Sequence, residues 1–396
     1  MSFFECPTQT GLTILIVTSV FMVGYVCLIF YFVLQLIKDK WFPYQKNLKD
    51  RKSSLLPFVS VVVAFRNEAE NLPKLLDCLI VQNYPEEKIE ILLSDDHSTD
   101  ESNAIILDYA KKYQDIRIRL LKPLKENQKT GKKNALFRAI QQSNGEVILA
   151  TDADCKMGEN WVKSVGRFFS EHSKIKMLIS PVDIISERGS LFSRLQSLEF
   201  MSLTGSTAGS AFAGKPIMCN GANLAFLRKT YLSLQGCTPG RQFASGDDIF
   251  LLQCIQQNFP GSIFFHKNEE AIVKTKAVNN LRQFILQRVR WSSKTTGYTN
   301  RFTIFAGAIV AILNLMLAAL MLYVPFAAEK LFLPVFLLFL IKLITDLFLV
   351  LPVARFLNKT NLLLYMPVVS VVYPLYVSFV LLVAVFYRGK WKDRRI

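Results

Sequence analysis

The sequence is poor in the side chains that build thiolate or histidine metal centres. It has three His and seven Cys in 396 residues, with no Cys-x-x-Cys pair and no His at metal-ligand spacing. This pattern argues against a Cys/His metal site, and we interpret the cysteines as buried or incidental thiols of a reducing compartment. Internal repeats and low-complexity segments are also absent. The length is sufficient for one large core with additions.

A compact run of Lys and Arg of the kind that binds nucleic acid is missing too, although the formal net charge is +16. The basic residues cluster beside apolar segments, at 38–40 and 388–395. That placement favours an anionic membrane surface. We therefore expect membrane lipids as partners and no nucleic acid.

Charge is absent from residues 11–37, a nearly unbroken apolar run. The run exceeds the roughly 20 residues that span a bilayer. It lacks the basic start and the Ala-x-Ala site of a signal peptide, so it predicts a transmembrane anchor within residues 1–40. Six Lys and Arg lie between residues 38 and 52, against Glu5 alone before the run. The positive-inside rule then places the following chain in the cytosol, at the inner membrane if the source is bacterial.

Three further apolar stretches, 302–328, 331–353 and 362–387, predict a C-terminal membrane part over 301–396. Lys342 and Asp346 interrupt the second stretch, four residues apart on one helical face, where they can neutralise each other. They are either a structural pair facing neighbouring helices or part of a substrate passage. Three spans would leave the basic tail outside, against the positive-inside rule. The number of spans is therefore open, with Pro367 and Pro374 as candidate break points.

Between these ends, residues 41–300 have the pattern of an α/β domain. Short apolar runs at 58–65, 89–93, 116–121 and 147–150 alternate with helical stretches at 69–82, 100–114 and 132–143. This alternation predicts a mixed, mostly parallel Rossmann-like sheet with helices on both faces. In such sheets, ligands bind beyond the carboxyl ends of the strands. Two acidic pairs follow strand ends there.

The first of these pairs to suggest chemistry is Asp152 and Asp154. Residues two apart on an extended segment share a side, so both carboxylates can face one ion. Their hard oxygen ligands suit Mg²⁺ or Mn²⁺, which would also bridge a diphosphate. The other pair, Asp95 and Asp96, could accept hydrogen bonds from a base or a ribose, or could tighten a strand-to-helix turn.

Three other groups have both a chemical and a structural interpretation. Lys132 opens a helix and could meet a phosphate, or could be a solvated surface lysine. Asp247 and Asp248 precede an apolar helix, where one could act as a general base or Asp247 could cap the helix.

The third group lies on a helical stretch that begins at Leu281. Gln287, Arg290 and Trp291 share one face of it. The arginine could clamp a diphosphate and the tryptophan could stack on a sugar ring, but both residue types also anchor proteins at membrane interfaces.

Taken together, the motifs resemble those of the family-two inverting glycosyltransferases of GT-A fold, over about residues 57–291. Six stretches match in order: Ala-Phe-Arg-Asn-Glu at 64–68, Asp-Asp-His-Ser at 95–98, Gly-Lys-Lys-Asn-Ala-Leu at 131–136, Asp-Ala-Asp at 152–154, Asp-Asp at 247–248 and Gln-Arg-Val-Arg-Trp at 287–291. Two positions depart from the family pattern. Arg66 replaces an aromatic residue and His97 replaces a glycine.

The resemblance implies that a sugar moves, with inversion, from a nucleotide donor to a lipid, lipid-linked or glycan acceptor. The expected donor is a UDP-sugar. The implied metal ligands for Mg²⁺ or Mn²⁺ are Asp152 and Asp154, and Asp248 is the implied base, beside Asp247. The implied donor-binding residues are Glu68, Asp95, Asp96, Lys132, Asp152, Gln287, Arg290 and Trp291. The implied acceptor-side residues are Asn220, Gly221 and Asn223.

Three alternatives remain at this point. A processive polysaccharide synthase would normally need more membrane spans. A nucleotidyltransferase would not need the helix with Gln287 and Trp291. A non-catalytic membrane protein would not bind metal at its acidic pairs. The enzyme interpretation depends on one spatial prediction, that Asp96, Asp154 and Asp248 meet at one rim of the sheet, near Trp291.

Overall fold

The structure is a computed structural model, in which residues 7–39, 56–123, 131–185, 189–234, 246–326, 329–386, 390–391 and 394–395 are described. Most of the basic residues on which the orientation prediction rests, between 40 and 52, lie outside these ranges. Arg388 and Lys392 of the predicted basic tail and Ser245 before the acidic pair also lie outside them.

The chain forms two compact units. One, here called the helical unit, comprises Met1–Phe42, Arg188–Ile217 and Val278–Arg395. The other, the sheet unit, comprises Pro43–Glu187 and Met218–Ala277. Residues 188–217 and 278–300, which we predicted within the middle domain, therefore group with the apolar helices. The reason is that the helices in these two segments pack on the apolar helices themselves.

The twelve α-helices of the described residues are α1 Pro7–Lys38, α2 Leu72–Ile80, α3 Ser102–Lys112, α4 Lys132–Gln142, α5 Trp161–Glu171, α6 Leu191–Phe212, α7 Arg228–Ser233, α8 Asp247–Asn258, α9 Leu281–Ser292, α10 Arg301–Tyr323, α11 Phe332–Phe356 and α12 Met366–Phe386. Their strands are β1 Val59–Phe65, β2 Ile89–Asp95, β3 Ile118–Leu121, β4 Val147–Thr151, β5 Lys156–Met157, β6 Met177–Ile179, β7 Val182–Ile185, β8 Leu224–Leu227, β9 Ile263–Phe265, β10 Val273–Lys276, β11 Lys390–Trp391 and β12 Arg394–Arg395.

The sheet unit is built on a seven-stranded sheet of order β3-β2-β1-β4-β8-β6-β9. β8 runs antiparallel to both neighbours, and the other neighbouring pairs are parallel. A smaller sheet has the order β5-β10-β7. The central strands are continuous apolar runs because both faces of the sheet are covered, and β2 is buried throughout. The predicted mixed, mostly parallel sheet is confirmed.

The register of this sheet determines where the site lies. Phe65 at the end of β1 pairs with Asp95 at the end of β2, and Val63 pairs with Thr151 at the end of β4. The segments that follow these three strands therefore leave the sheet along one rim. Because β8 runs the other way, the residues before Leu224 reach the same rim.

In the helical unit, four helices of the described residues are long and apolar enough to cross a membrane: Gly11–Lys38, Arg301–Phe326, Phe332–Phe356 and Thr360–Val385. They correspond to the four apolar segments predicted from the sequence. A fifth long helix, α6, packs on α1 and α11. Its glycines permit this close approach, since a Cβ at Gly209 would lie 2.6 Å from the Cβ of Phe32.

Charged side chains inside the helical unit are paired. Lys342 is 2% exposed, and its Nζ donates to Asp346 Oδ2 at 2.6 Å. Tyr25 of α1 donates to the other carboxylate oxygen of Asp346 at 2.5 Å. The predicted neutralising pair is confirmed, and it faces a neighbouring helix.

Candidate active site

The first part of the rim is the turn after β1, which is tied to the turn after β2. Asn67 adopts a left-handed backbone with φ of +52°, and its side-chain oxygen accepts from the backbone N–H of Thr99 at 2.8 Å. The backbone N–H of Glu68 donates to Ser102 Oγ at 2.9 Å. The helix predicted from residue 69 begins only at Leu72, because this turn uses residues 66–71 instead. The two strand ends thus form one framework.

The neighbouring acids Asp95 and Asp96 have different tasks. Both carboxylate oxygens of Asp95 are engaged by residues that follow β2, the backbone N–H of Ser98 at 2.8 Å and Asn103 Nδ2 of α3 at 3.1 Å. Asp95 therefore tightens the turn, which is the structural alternative stated for it. Asp96 instead reaches across to α4, where its Oδ1 accepts from the backbone N–H of Gly131 at 2.8 Å.

His97, which replaces a glycine of the family pattern, lies in a turn that favours glycine. His97 also has a left-handed backbone, with φ of +62°, a conformation that favours glycine. The family glycine at this position is therefore explained by the turn itself. The imidazole Nδ1 of His97 lies 3.5 Å from Asp96 Oδ1.

The beginning of α4 brings the acidic groups of three segments together. Gly131 has a φ of +124°, which a side chain would strain. Lys132 forms an ion pair with Asp152. Lys133 extends to the acidic pair of α8, with its Nζ 3.5 Å from Asp247 Oδ1. With the hydrogen bond that the Gly131 N–H donates to Asp96, one helical turn contacts all three predicted acidic motifs.

Around Asp154 of the Asp-x-Asp pair, several negative charges lie close together and the charge of Lys132 opposes them. Burial, together with the charges of Asp152 and Glu68, raises the pKa of Asp154, against a hydrogen bond from Thr275 that lowers it. That hydrogen bond, from Thr275 Oγ1 to Asp154 Oδ2, is 3.2 Å long. A nearby cation would relieve this crowding of like charges.

A divalent cation fits the Asp-x-Asp residues only with help from a substrate. In the part of the chain that the structure describes, no group of three or more His, Cys, Asp or Glu is placed to hold a metal ion. Mg²⁺ in proteins is commonly held by one or two carboxylates together with substrate phosphates. The hard carboxylate oxygens of Asp152 and Asp154 suit that arrangement.

Asp247 and Asp248, the two candidates for the general base, begin helix α8. They directly follow Gly246, which has a φ of +99°. Burial and the charge of Asp248 raise the pKa of Asp247, while Lys133 lowers it. Asp248 Oδ2 accepts from the backbone N–H of Gly221 at 3.1 Å. The structure thus joins Asp248 to the segment predicted for the acceptor side.

Within that segment, Asn223 differs from Asn220. Asn223 is fully buried, and its side-chain N–H groups donate to the carbonyl oxygens of Pro181 at 2.8 Å and Ala271 at 2.7 Å. Its side-chain oxygen accepts from Trp161 Nε1 at 3.1 Å. With both ends of the amide engaged, Asn223 braces the rim from within. Asn220 and Gly221 are half-buried and remain accessible at the rim.

The remaining predicted residues, Gln287, Arg290 and Trp291, lie on α9 in the helical unit, and each is half-buried. Sequence reasoning missed one supporting side chain of the sheet unit. Arg138 of α4 donates to the carbonyl oxygens of Asp95 and Leu121, so it ties the ends of β2 and β3 together. The signal that could have found it is a charged residue three positions after Ala135, which is buried.

Comparison with a solved structure identifies the class of fold. Mannosyltransferase PcManGT from Pyrobaculum calidifontis, in complex with GDP-Man and Mn²⁺, aligns with a TM-score of 0.56 at 16% identity. The alignment covers 90% of this chain and 98% of that one. With the sheet order described above, the predicted GT-A fold is confirmed.

Residues 60–233 match the sequence model of the family described as Glycosyl transferase family 2. The chain is 34% identical over 111 residues to Glycosyltransferase AglE of Haloferax volcanii, covering 28% of this chain and 35% of that protein. It is 30% identical over 153 residues to Beta-monoglucosyldiacylglycerol synthase of Nostoc sp., covering 38% of this chain and 31% of that protein. The matched regions thus span about a third of the length of these relatives.

Proposed function

We propose that the protein transfers a sugar from a nucleotide-sugar donor to a lipid, lipid-linked or glycan acceptor, with inversion and with a divalent metal. The observation that carries the proposal is the convergence of three acidic motifs on the first turn of α4. Asp96 contacts Gly131, Asp152 pairs with Lys132, and Asp247 lies beside Lys133. Three motifs that are far apart along the chain thus lie at one rim of the sheet. A nucleotide-sugar donor needs such an arrangement, because its base, diphosphate and sugar must be bound side by side.

The donor end of the proposed site uses Asp96 for the nucleotide base and Asp152 and Asp154 for a cation. Such a cation, when bound, stabilises negative charge on the departing diphosphate. Lys132 is already held at the rim by Asp152, so its ammonium needs little movement to meet a phosphate oxygen. Arg290 and Gln287 are proposed to bind the diphosphate and Trp291 to stack on a sugar. The donor we propose is a UDP-sugar.

Asp248 is the proposed base. Its carboxylate contacts Gly221, so it lies next to the proposed acceptor segment. It would take the proton from the acceptor hydroxyl as that oxygen attacks the anomeric carbon, and the nucleotide diphosphate would leave from the opposite face. A single displacement of this kind inverts the anomeric centre, giving a β-linked product from an α-linked donor. Asp247 lies beside Lys133 instead, with its Oδ1 3.5 Å from Lys133 Nζ, so it is proposed to orient that lysine.

A lipid or lipid-linked acceptor is favoured by the four helices that are long and apolar enough to cross a membrane. The relative from Nostoc sp. is a beta-monoglucosyldiacylglycerol synthase, which also favours a lipid acceptor. Lys38 ends α1, Arg301 begins α10 and Arg355 lies in the last turn of α11. Basic residues at these helix ends support the proposal that the sheet unit lies on the cytoplasmic face.

The test is a panel of nucleotide sugars incubated with membranes that contain the full chain, with Mn²⁺ or Mg²⁺ and with EDTA as the control. We expect one donor to label an extractable lipid in a metal-dependent manner. A long polymer would instead indicate a processive polysaccharide synthase. Nucleotide release without sugar transfer, or the absence of any metal-dependent binding of a nucleotide sugar, would contradict the proposal.

Two variants then test the assignment of the base. Asp248→Asn should abolish transfer and leave metal-dependent binding of the nucleotide sugar intact. Asp247→Asn is the matched comparison, and it should retain more transfer. Near-normal turnover by Asp248→Asn would remove Asp248 from the role of base.

A further inference from the structure

The helix α9 contains a second arginine whose position differs from that of Arg290. Arg288 occupies a variable position of the Gln-x-x-Arg-Trp motif, and it is 4% exposed. Isolated buried charges are costly, so a buried arginine is retained only where it is paired and hydrogen-bonded. The contacts of Arg288 show what surrounds it.

Arg288 contacts two side chains of the motif itself. Its Nη1 donates to Gln287 Oε1 at 2.5 Å. Its guanidinium carbon lies 4.3 Å from the ring centroid of Trp291 and 4.4 Å from that of Phe284. The guanidinium plane therefore touches the amide of Gln287 and the indole of Trp291 at the same time. The guanidinium of Arg288 therefore helps to determine the orientation of both Gln287 and Trp291.

The rest of the guanidinium is held by Glu199 of α6. Arg288 Nε donates to both carboxylate oxygens, at 3.1 and 3.2 Å, and Nη2 donates to Oε2 at 2.5 Å. Tyr376 of α12 donates to Glu199 Oε1 at 3.0 Å. Helices α6, α9 and α12 thus meet at one buried carboxylate. Glu199 is the only acidic residue of α6.

The contacts in this cluster depend on properties of arginine that lysine lacks. A planar fork binds a carboxylate at two points, and the flat face of the same group stacks on an aromatic ring. Lysine would supply the charge without the fork or the flat face. Moreover, a buried ion pair can often be replaced by apolar side chains without loss of stability. Stability alone therefore does not account for the arrangement.

We propose that Arg288 is a positioning residue that, held by Glu199 and Tyr376, orients Gln287 and Trp291 for sugar transfer. The proposal rests on the proposed function of those two residues. Arg288 itself is not proposed to touch the donor or the acceptor.

The test compares three forms of the full-length protein in detergent or membranes. Arg288→Met leaves Glu199 buried without its cation. The triple variant Glu199→Met/Arg288→Met/Tyr376→Phe replaces the whole cluster with apolar groups. Arg282→Met is the matched control, because Arg282 is an exposed arginine on the same helix. Each form is assayed for sugar transfer and for melting temperature.

We expect Arg288→Met to lose both transfer and thermal stability. The triple variant should regain most of the melting temperature, while its transfer stays at least tenfold below that of the parent. Arg282→Met should match the parent in both. If transfer recovers together with the melting temperature in the triple variant, the cluster is only structural and the proposal is overturned.

A second readout does not depend on activity. The fluorescence of Trp291 is obtained as the difference between each form and the same form carrying Trp291→Phe. We expect acrylamide to quench Trp291 at least twofold more effectively in the triple variant than in the parent. Unchanged quenching would overturn the positioning role. If the parent transfers no sugar from any donor, the proposed function fails, and the quenching result still decides whether Arg288 orients Trp291.

Discussion

The sheet unit and the helical unit arrange their charged residues in opposite ways. At the rim of the sheet unit, carboxylates crowd one another: Asp154 has Asp152 and Glu68 as negative neighbours, and its pKa is raised. Inside the helical unit, Lys342 pairs with Asp346 at 2.6 Å, and Arg288 pairs with Glu199. Like charges at an accessible rim mark a place where a cation or a cationic side chain can bind. Opposite charges buried together mark a connection between helices.

The difference shows that the effect of a charged residue on stability indicates its role. Crowded carboxylates lower stability and persist where a ligand compensates for them. A paired charge inside an apolar bundle carries no net charge and satisfies its own hydrogen bonds. Variants on each side of this contrast test it, and the largest effect is expected at the rim.

Removing a charge from the rim should abolish activity and leave the fold intact. For Asp154→Asn we expect at least a ~10³-fold loss of transfer, because stabilisation of the departing diphosphate by the cation is worth several kcal/mol. The melting temperature should stay the same or rise, since burial already disfavours the charged form of Asp154. Transfer assays with Mn²⁺ and thermal melts measure both. Asp108→Asn, at an exposed position of α3, is the control. Transfer within tenfold of the parent would contradict the metal assignment.

Removing one charge from the helical unit should have the reverse effect on stability. Lys342→Met leaves the Asp346 carboxylate with Tyr25 as its hydrogen-bond donor, and we expect a loss of about 3 kcal/mol in the free energy of unfolding. Lys342→Met/Asp346→Leu should recover at least half of that loss. Denaturation in detergent followed by circular dichroism gives the comparison. If the single variant is as stable as the parent, the pair does not connect the helices.

The interior of the sheet unit uses a neutral polar group instead, at His266. Burial lowers the pKa of His266 to about 3, and its ring lies 2.7 Å from Ser164 Oγ. Below about pH 6.5 this histidine is protonated in the unfolded chain but stays neutral in the folded protein. The free energy of unfolding therefore falls as the pH decreases from 6.5 toward 3. At pH 5 the loss is about 2 kcal/mol.

The variant His266→Gln removes this titration and should flatten the slope of stability between pH 6.5 and 5. Urea denaturation at the two pH values measures it. His172→Gln, whose ring is half-buried, serves as the comparison and should keep the slope of the parent. Equal slopes in the parent and in His266→Gln would show that His266 is not the group responsible.

The smallest expected effect on stability comes from a change in apolar packing that alters no charge. Gly209→Ala places a Cβ 2.6 Å from the Cβ of Phe32 and 3.0 Å from its backbone, so we expect a loss of about 1 kcal/mol. Gly307→Ala is the matched control on α10, because no atom lies within 4 Å of its added Cβ. That control should be neutral or slightly stabilising, since alanine favours helix. A tolerated Gly209→Ala would mean that α1 and α6 separate easily.

Much of the sheet unit was predictable because its signals are local. Continuous apolar runs identified β1, β2 and β4, of which the last two are followed by acidic pairs, and the parallel order follows from the helices between them. The four apolar helices were predictable from length and composition alone. The predicted boundaries at residues 40 and 300 differ from those of the compact units, because α6 and α9 have mixed composition and their grouping depends on packing partners.

Within the candidate site, residue types were easier to predict than residue tasks. Asp95 and Asp96 are adjacent, so they point to opposite sides of an extended segment. Which of the two reaches α4 depends on the position of Gly131, which comes from a distant part of the chain. The same holds for Lys132 and Lys133, which lie one residue apart on α4 and contact different acidic motifs.

The sequence by itself determined the periodicity of the strands, the lengths of the apolar helices and the order of the acidic motifs, because these depend on neighbours along the chain. Only the tertiary structure decided that Asp96 meets Gly131, that Asn223 is an internal brace and that Arg288 pairs with Glu199. Those assignments depend on hydrogen-bond partners that are tens of residues away or more. Burial turns such contacts into strong geometric constraints, since an unpaired polar group away from water is costly.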